Sequence, residues 1–215
     1  MPVPLKIDFV SDISCPWCVI GLRALEQAIA RLDGQVAVDL HFQPFELNPQ
    51  MPPGGQDIDE HLQQKYGSTP EQAALVRERI RAAGAALGFT FSLQTRSRIY
   101  NTFDAHRLLH WAALEGHQLA LKQALFQAYF TDGEDPSNHQ VLIRAAARVG
   151  LDATRAARIL DSNEFAAVVR KEQAFYRDQG IHAVPAVIIN NQHLIQGGQP
   201  VEVFEQALRQ IAGLA

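Results

Sequence analysis

The feature that most constrains this chain is Cys15-Pro16-Trp17-Cys18, which contains its only two cysteines. They stand where an alternating segment gives way to a helical one. Leu5, Ile7 and Phe9 fall on one side of the preceding run and Lys6, Asp8 and Val10 on the other, which is the period of a strand. After the pair, Leu22, Leu25, Ile29 and Leu32 recur at spacings of three and four, so a helix is expected up to Asp33-Gly34. Pro16 suits the first helical position, because the N–H it lacks would have no partner there. Cys15 is therefore expected at or just before the first helical residue, with Cys18 one turn on.

Three uses of such a pair compete. A staple across two intervening residues closes a very small loop and constrains the unfolded chain little. A zinc site needs two further ligands. His106 and His110 in "HRLLH" are the nearest candidates, yet no Glu follows His106 as the H-E-x-x-H pattern requires. The third use is redox, because C-x-x-C beside a β-α-β pattern reads as a thioredoxin-like dithiol. On this reading Cys15 is the exposed nucleophile and Cys18 the shielded thiol that resolves its adducts, and no metal is expected. The helix N-terminus favours thiolate over thiol at Cys15. Its dipole supplies roughly 0.3–1 kcal/mol, less than the roughly 1.4 kcal/mol of a tenfold bias. Direct N–H···S⁻ bonds, one of them from Cys18, are expected to supply most of the rest.

The 215-residue chain has a net charge of −4 and basic runs no longer than "RERIR", so no nucleic-acid footprint is expected. Its opening residues read as a strand rather than a secretory signal. No run of about 18 apolar residues occurs. The expectation is a cytoplasmic protein without a membrane span.

Val36, Val38, Leu40 and Phe42 alternate as a second strand. Beyond the loop "ELNPQMPPGGQD", strand character nearly vanishes. Helices are expected over 70–87, 102–116, 118–130, 138–149, 152–161 and 163–179. Thr69-Pro70-Glu71-Gln72 and Ser137-Asn138-His139-Gln140 are helix starts. "VPAVIIN" and "HLIQ" then read as a hairpin about Asn190-Asn191. Gly197-Gly198 breaks the strand, and Pro200 opens a helix with Val201, Phe204, Leu208 and Ile211 on one face. The implied organisation is one domain interrupted by another: residues 1–50 as the first half, 51–161 as a helical insertion and 162–215 as the second half.

"DISCPWCVIG", "FQPFELNP", "NTFDAHRLLHWA" and "GIHAVPAVIINNQHLIQGGQP" together resemble the DsbA-type dithiol–disulfide oxidoreductases, specifically the FrnE-like branch, over essentially the whole chain. The resemblance implies an α/β thioredoxin-like fold, a mixed four-stranded sheet with flanking helices interrupted by an all-α insertion. It implies Cys15 as attacking thiol and Cys18 as resolving thiol. Val184-Pro185 would be a cis bond facing the disulfide, with the Val184 backbone offered to an extended substrate. The residues alone favour an ordinary trans proline at the start of a strand. Trp17 would be an exposed apolar contact for substrate, its other use being to pack on the helical block. Phe45, Asn48, Asn101 and His106 would lie around the cleft, although Asn101 is equally natural as a helix cap. DsbA oxidants usually carry a histidine inside the motif and a signal peptide. Neither is read in this sequence, so a strong secretory oxidant is not expected.

The expected partners are protein or small-molecule thiols and disulfides, with no resident cofactor and with glutathione as candidate co-substrate. Apolar faces on the helical block would allow a homodimer. Two alternatives stay open. One is a glutathione-dependent isomerase or transferase of the hydroxychromene-carboxylate isomerase or kappa type. Those enzymes usually have serine at the first motif position; Ser14 adjoins it here, but Cys18 would then have no task. The other is a non-catalytic, chaperone-like binding module.

Overall fold

The computed structural model describes residues 1–92 and 97–214. The chain opens with β1 (Val3–Ser11), α1 (Pro16–Arg31) and β2 (Val36–Pro44), a β-α-β unit with parallel strands. The next stretch holds β3 (Gln56–Asp57), α2 (Ile58–Tyr66), α3 (Pro70–Ala86), β4 (Arg98–Ile99), α4 (Phe103–Leu114) and α5 (Gln118–Phe126). A π-helical turn, Gln127–Thr131, leads to α6 (His139–Arg148), α7 (Ala153–Leu160) and α8 (Ala166–Asp178). The chain closes with β5 (Ala186–Ile189), β6 (His193–Gln196) and α9 (Val201–Ile211).

The main sheet runs β2-β1-β5-β6, with β5 antiparallel to both neighbours. This is the mixed four-stranded, thioredoxin-like sheet, and helices fill the stretch between its second and third strands. Phe9 stands opposite Val187 and Val10 opposite Ala186. Asn190 and Asn191 join β5 to β6 at φ of 52° and 58°. Positive φ at both central residues is what a type I′ hairpin needs, and Asn accepts it more readily than most residues.

Leu5, Ile7 and Phe9 pack with Leu22, Leu25 and Ala28 of α1 and with Phe204 and Leu208 of α9. The other face of β1 is also covered, because Val10 joins Phe45, Tyr176, Ile181 and Ala186 in a second cluster. Asp8 is buried there. Its carboxylate accepts from Gln43 Nε2 at 2.6 Å and pairs with Lys6 Nζ at 2.9 Å. Among the described residues no helix is long and apolar enough to cross a membrane.

The structure departs from the sequence expectation in three places. Helix α2 lay in a stretch without an expected element. It buries only Ile58 and His61 and leaves little apolar stripe to read, although Asp57 caps it by accepting from the N–H groups of Asp59 and Glu60. The β3–β4 ribbon adds a short pairing to a block expected to be all helix. The expected helix 163–179 begins only at Ala166, because Phe165 takes a φ of 61°. The Thr69 capping box with Gln72 and the Asn138 cap are both present.

Close packing at the junction of α1 with the second half positions the site. A Cβ on Gly198 would lie 2.9 Å from the Trp17 carbonyl oxygen, and one on Gly21 would lie 3.1 Å from Pro185 Cγ. Gly198→Ala must therefore displace this loop. It should cost about 1–3 kcal/mol of stability as an overpacking substitution. Denaturant midpoints measure this, and a stability equal to wild type would contradict the packing described.

Candidate active site

Cys15 is the N-cap of α1, with extended backbone at φ −93° and ψ 111°, and Pro16 opens the helix. The Cys18 N–H donates to the Cys15 carbonyl at 3.1 Å. The β1–β5 pairing brings up the segment before β5, where Val184–Pro185 is a cis peptide bond. Pro185 is held from its other side, its carbonyl accepting from the Gly197 N–H at 2.8 Å. Cys15 Sγ donates to the Val184 carbonyl at 3.6 Å. Both cysteines are free thiols.

Two expectations about Cys15 need correction. It is only 4 % exposed, against 0 % for Cys18, because the Val184 carbonyl stands over its sulfur. Its side chain also makes no capping hydrogen bond to the helix N–H groups. A neutral thiol is a weak acceptor and Pro16 has no N–H to offer, so the S–H donates outward instead. Burial, followed by the neighbouring Cys15 sulfur, pushes the Cys18 thiol well above the ordinary value, while Lys122 pulls it back. The two thiols therefore stand in different surroundings, with Cys18 the one that burial holds protonated.

Trp17 is half-buried with the Arg79 guanidinium of α3 over its ring, 5.5 Å from the centroid. It packs on the helical block while keeping part of its face open beside Cys15.

Asp12, at the end of β1, is fully buried beneath the motif. Its carboxylate accepts from Leu47 N at 2.7 Å, Ser14 Oγ at 2.9 Å and Ser14 N at 3.3 Å. His106 Nε2 lies 3.4 Å from Asp12 Oδ1, close enough for charge pairing but without hydrogen-bond geometry. Burial alone would push the Asp12 carboxyl up. His106, the Leu47 N–H and Thr102 outweigh it, so the group sits below the usual carboxylate range. Beyond Asp12 lies Lys122 of α5, completely buried, with its Nζ between the rings of Phe126 at 5.0 Å and Phe42 at 5.7 Å. A cavity of about 160 Å³ between β2, α4, α5 and α8 is lined by His106 and Lys122 on its inner side.

The remaining residues expected around the cleft lie as follows. Phe45 is packed in the second core cluster, and the Asn48 Oδ1 accepts from Lys65 Nζ at 2.7 Å. Asn101 acts at the start of α4, where its Oδ1 accepts from the Phe103 N–H at 2.9 Å. Its Nδ2 lies 3.5 Å from the buried Glu46 carboxylate, which also accepts from Gln173 at 3.0 Å. His110 faces Glu172 at 3.4 Å and stacks on Phe165, away from His106's partner. Ser14 is close to Cys15 in sequence, but its hydroxyl is buried and committed to Asp12. Sequence reasoning missed Asp12 and Lys122. Lys122 did carry a signal, since it lies at spacings of three and four from the buried Leu125 and Phe126.

The DSBA-like thioredoxin domain model matches residues 6–209. The chain belongs to that family. The FrnE-like wording of the sequence is compatible with this. A solved structure of a probable DsbA oxidoreductase, SCO1869 from Streptomyces coelicolor, is 32 % identical with a TM-score of 0.89, covering 98 % of this chain and 91 % of that one. 2-Hydroxychromene-2-carboxylate isomerase superposes with a TM-score of 0.70 at 14 % identity, covering 98 % and 99 % of the two chains. The cytosolic disulfide reductase DsbM from Pseudomonas aeruginosa, solved with GSH, gives 0.67 at 17 % identity over 97 % and 100 %. The last two show a common fold.

Because Asp12 is held below the usual carboxylate range, it favours folding above its unfolded value, near 3.9. That contribution is lost as pH falls through the lower folded value. Asp12→Asn should cost about 1–3 kcal/mol at neutral pH by leaving donors less well satisfied. It should also flatten the fall of stability below about pH 4. Denaturation series from pH 3 to 7 measure both, and superimposable curves would count against the network.

Proposed function

We propose that this chain is a thiol–disulfide oxidoreductase that exchanges disulfides through a mixed disulfide on Cys15. The observation that carries the reading is the placement of Cys15 at the head of α1, 3.6 Å from the Val184 carbonyl, with Cys18 sealed one turn below. Cys15 thiolate attacks a substrate disulfide and releases the first substrate thiol. Cys18 then attacks the Cys15 sulfur and releases the second, and the reverse sequence oxidises a dithiol. The Val184 carbonyl, which accepts from the Cys15 thiol in the resting state, is the group an extended substrate would meet as its N–H approaches. Trp17 offers the adjoining apolar face.

The substrates we propose are disulfides of proteins and of small thiols, with glutathione as the small-molecule exchange partner. The fold shared with a disulfide reductase solved with GSH supports that choice. We place the reaction in the cytosol, where a pair of cysteines serves exchange rather than permanent cross-linking. The isomerase or transferase alternative is less well supported, because Ser14 is buried on Asp12 and Cys18 would have no role in it.

Equilibration in graded glutathione buffers, read by mass spectrometry and Trp17 fluorescence, should give a reversible Cys15–Cys18 disulfide. Its potential should lie between about −270 and −120 mV. Cys18→Ser should accumulate a mixed disulfide with glutathione on Cys15. A protein that forms no intramolecular disulfide, or a variant that traps no adduct while retaining full turnover, would overturn the proposal.

A further inference from the structure

Of the four lysines, Lys6, Lys65 and Lys171 are exposed, whereas Lys122 is wholly enclosed and its Nζ has no hydrogen-bond partner among the described residues. An ammonium in that position is costly unless something nearby compensates it. The Phe42 and Phe126 rings supply weak cation–π contact. The other compensation is electrostatic, and it comes from Asp12, Cys15 and Cys18. Two of those three groups are the redox sulfurs, and they can carry negative charge only when the pair is reduced.

We propose that Lys122 is the redox-linked proton site of the Cys15–Cys18 pair: its ammonium is the counter-charge of the reduced sulfurs, and closing the disulfide expels its proton. This rests on the function proposed above. The reaction balances as written. In the reacting form, in which Cys15 has given up the proton it shares with the Val184 carbonyl at rest, Cys15 thiolate, Cys18 thiol, Lys122 ammonium and a substrate disulfide become the Cys15–Cys18 disulfide, neutral Lys122 and two substrate thiols. Two electrons pass from the cysteine pair to the substrate disulfide. The two protons given up, one by Cys18 and one by Lys122, are the two the departing thiols take.

The surroundings suit that role. Burial holds Lys122 down to about 8 against the pull of Cys18, Asp12 and Cys15, so its proton is labile near neutral pH. Removing charge from the sulfurs withdraws part of that pull and lowers the value further. The groups facing Lys122 are Cys15 and Cys18 from α1, Asp12 from the end of β1 and His106 from α4. His41, His110 and Glu172 line the outer part of the same cavity, which gives the proton a way out. Asp12 stays charged in both redox states because its donors persist, so it does not cancel the change at the sulfurs. Lys122 acts on the reaction through Cys18 and is a positioning residue.

The direct test is an NMR titration of lysine side chains in wild-type protein, once as dithiol and once as disulfide. The Lys122 midpoint should be near 8 in the dithiol and lower in the disulfide, while the three exposed lysines should not change. Lys122→Met supplies the second test, since an apolar side chain of similar length removes the charge and relieves the burial penalty. At the acidic end of pH 6–9 the variant should be oxidised by glutathione disulfide more readily than wild type. The ratio of the two equilibrium constants should change by up to about tenfold per pH unit between the two Lys122 midpoints, as one linked proton requires. Above them the two proteins should converge. If the variant does not fold, the wild-type titration alone decides. Equal Lys122 midpoints in the two redox states overturn this inference and leave the oxidoreductase reading standing. Failure to form any Cys15–Cys18 disulfide removes both.

Discussion

The antiparallel pairing of β1 with β5 is the interaction on which the rest depends. It joins the two ends of the chain across the whole helical block and brings Val184 to a sulfur 169 residues earlier. A slip of one residue would turn Phe9 and Val187 to the wrong face, so burial on both sides fixes the register tightly. Cys15 heads α1 because β1 ends just before it, and the Val184 carbonyl meets its sulfur because β5 begins just after. Neither placement exists locally.

Beneath that junction the protein treats its two buried charges differently. Asp12 is fully satisfied and ties the loop after β2 to the motif through Leu47 and Ser14. Lys122 has no such partners among the described residues and depends on charges that come and go with the state of the sulfurs. In a medium of low effective dielectric, that contrast makes Asp12 a structural tie and Lys122 a responsive group. The helical block is therefore part of the site, because α5 delivers Lys122, α4 delivers His106 and α3 delivers the Arg79 cover on Trp17.

Much of this was legible in the amino-acid sequence where local chemistry decides the outcome. Alternation marked β1 and β2, Pro16 marked the start of α1, and the Thr69 box marked α3. The cis bond at Pro185 followed only from family resemblance, since tertiary contacts select that isomer. Helix α2 escaped because its residues are mostly polar and its stability comes from a cap and docking rather than an apolar stripe. Phe45 packs in a core cluster that Val184 also borders and Asn48 is held by Lys65, uses that no one-dimensional pattern distinguishes. Lys122 was visible as a charged residue interrupting an apolar stripe. Its meaning depended on α5 packing against β2, next to the strand that leads into the motif.

The central claim is that the two cysteines are chemically distinct because one heads the helix and the other is sealed beneath it. Timed alkylation of the native dithiol at neutral pH, with each cysteine resolved by peptide mass mapping, tests this most directly. Cys15 should be modified first, and Cys18 should remain unmodified until denaturant opens the core. Equal rates at the two positions, or earlier modification of Cys18, would contradict the account.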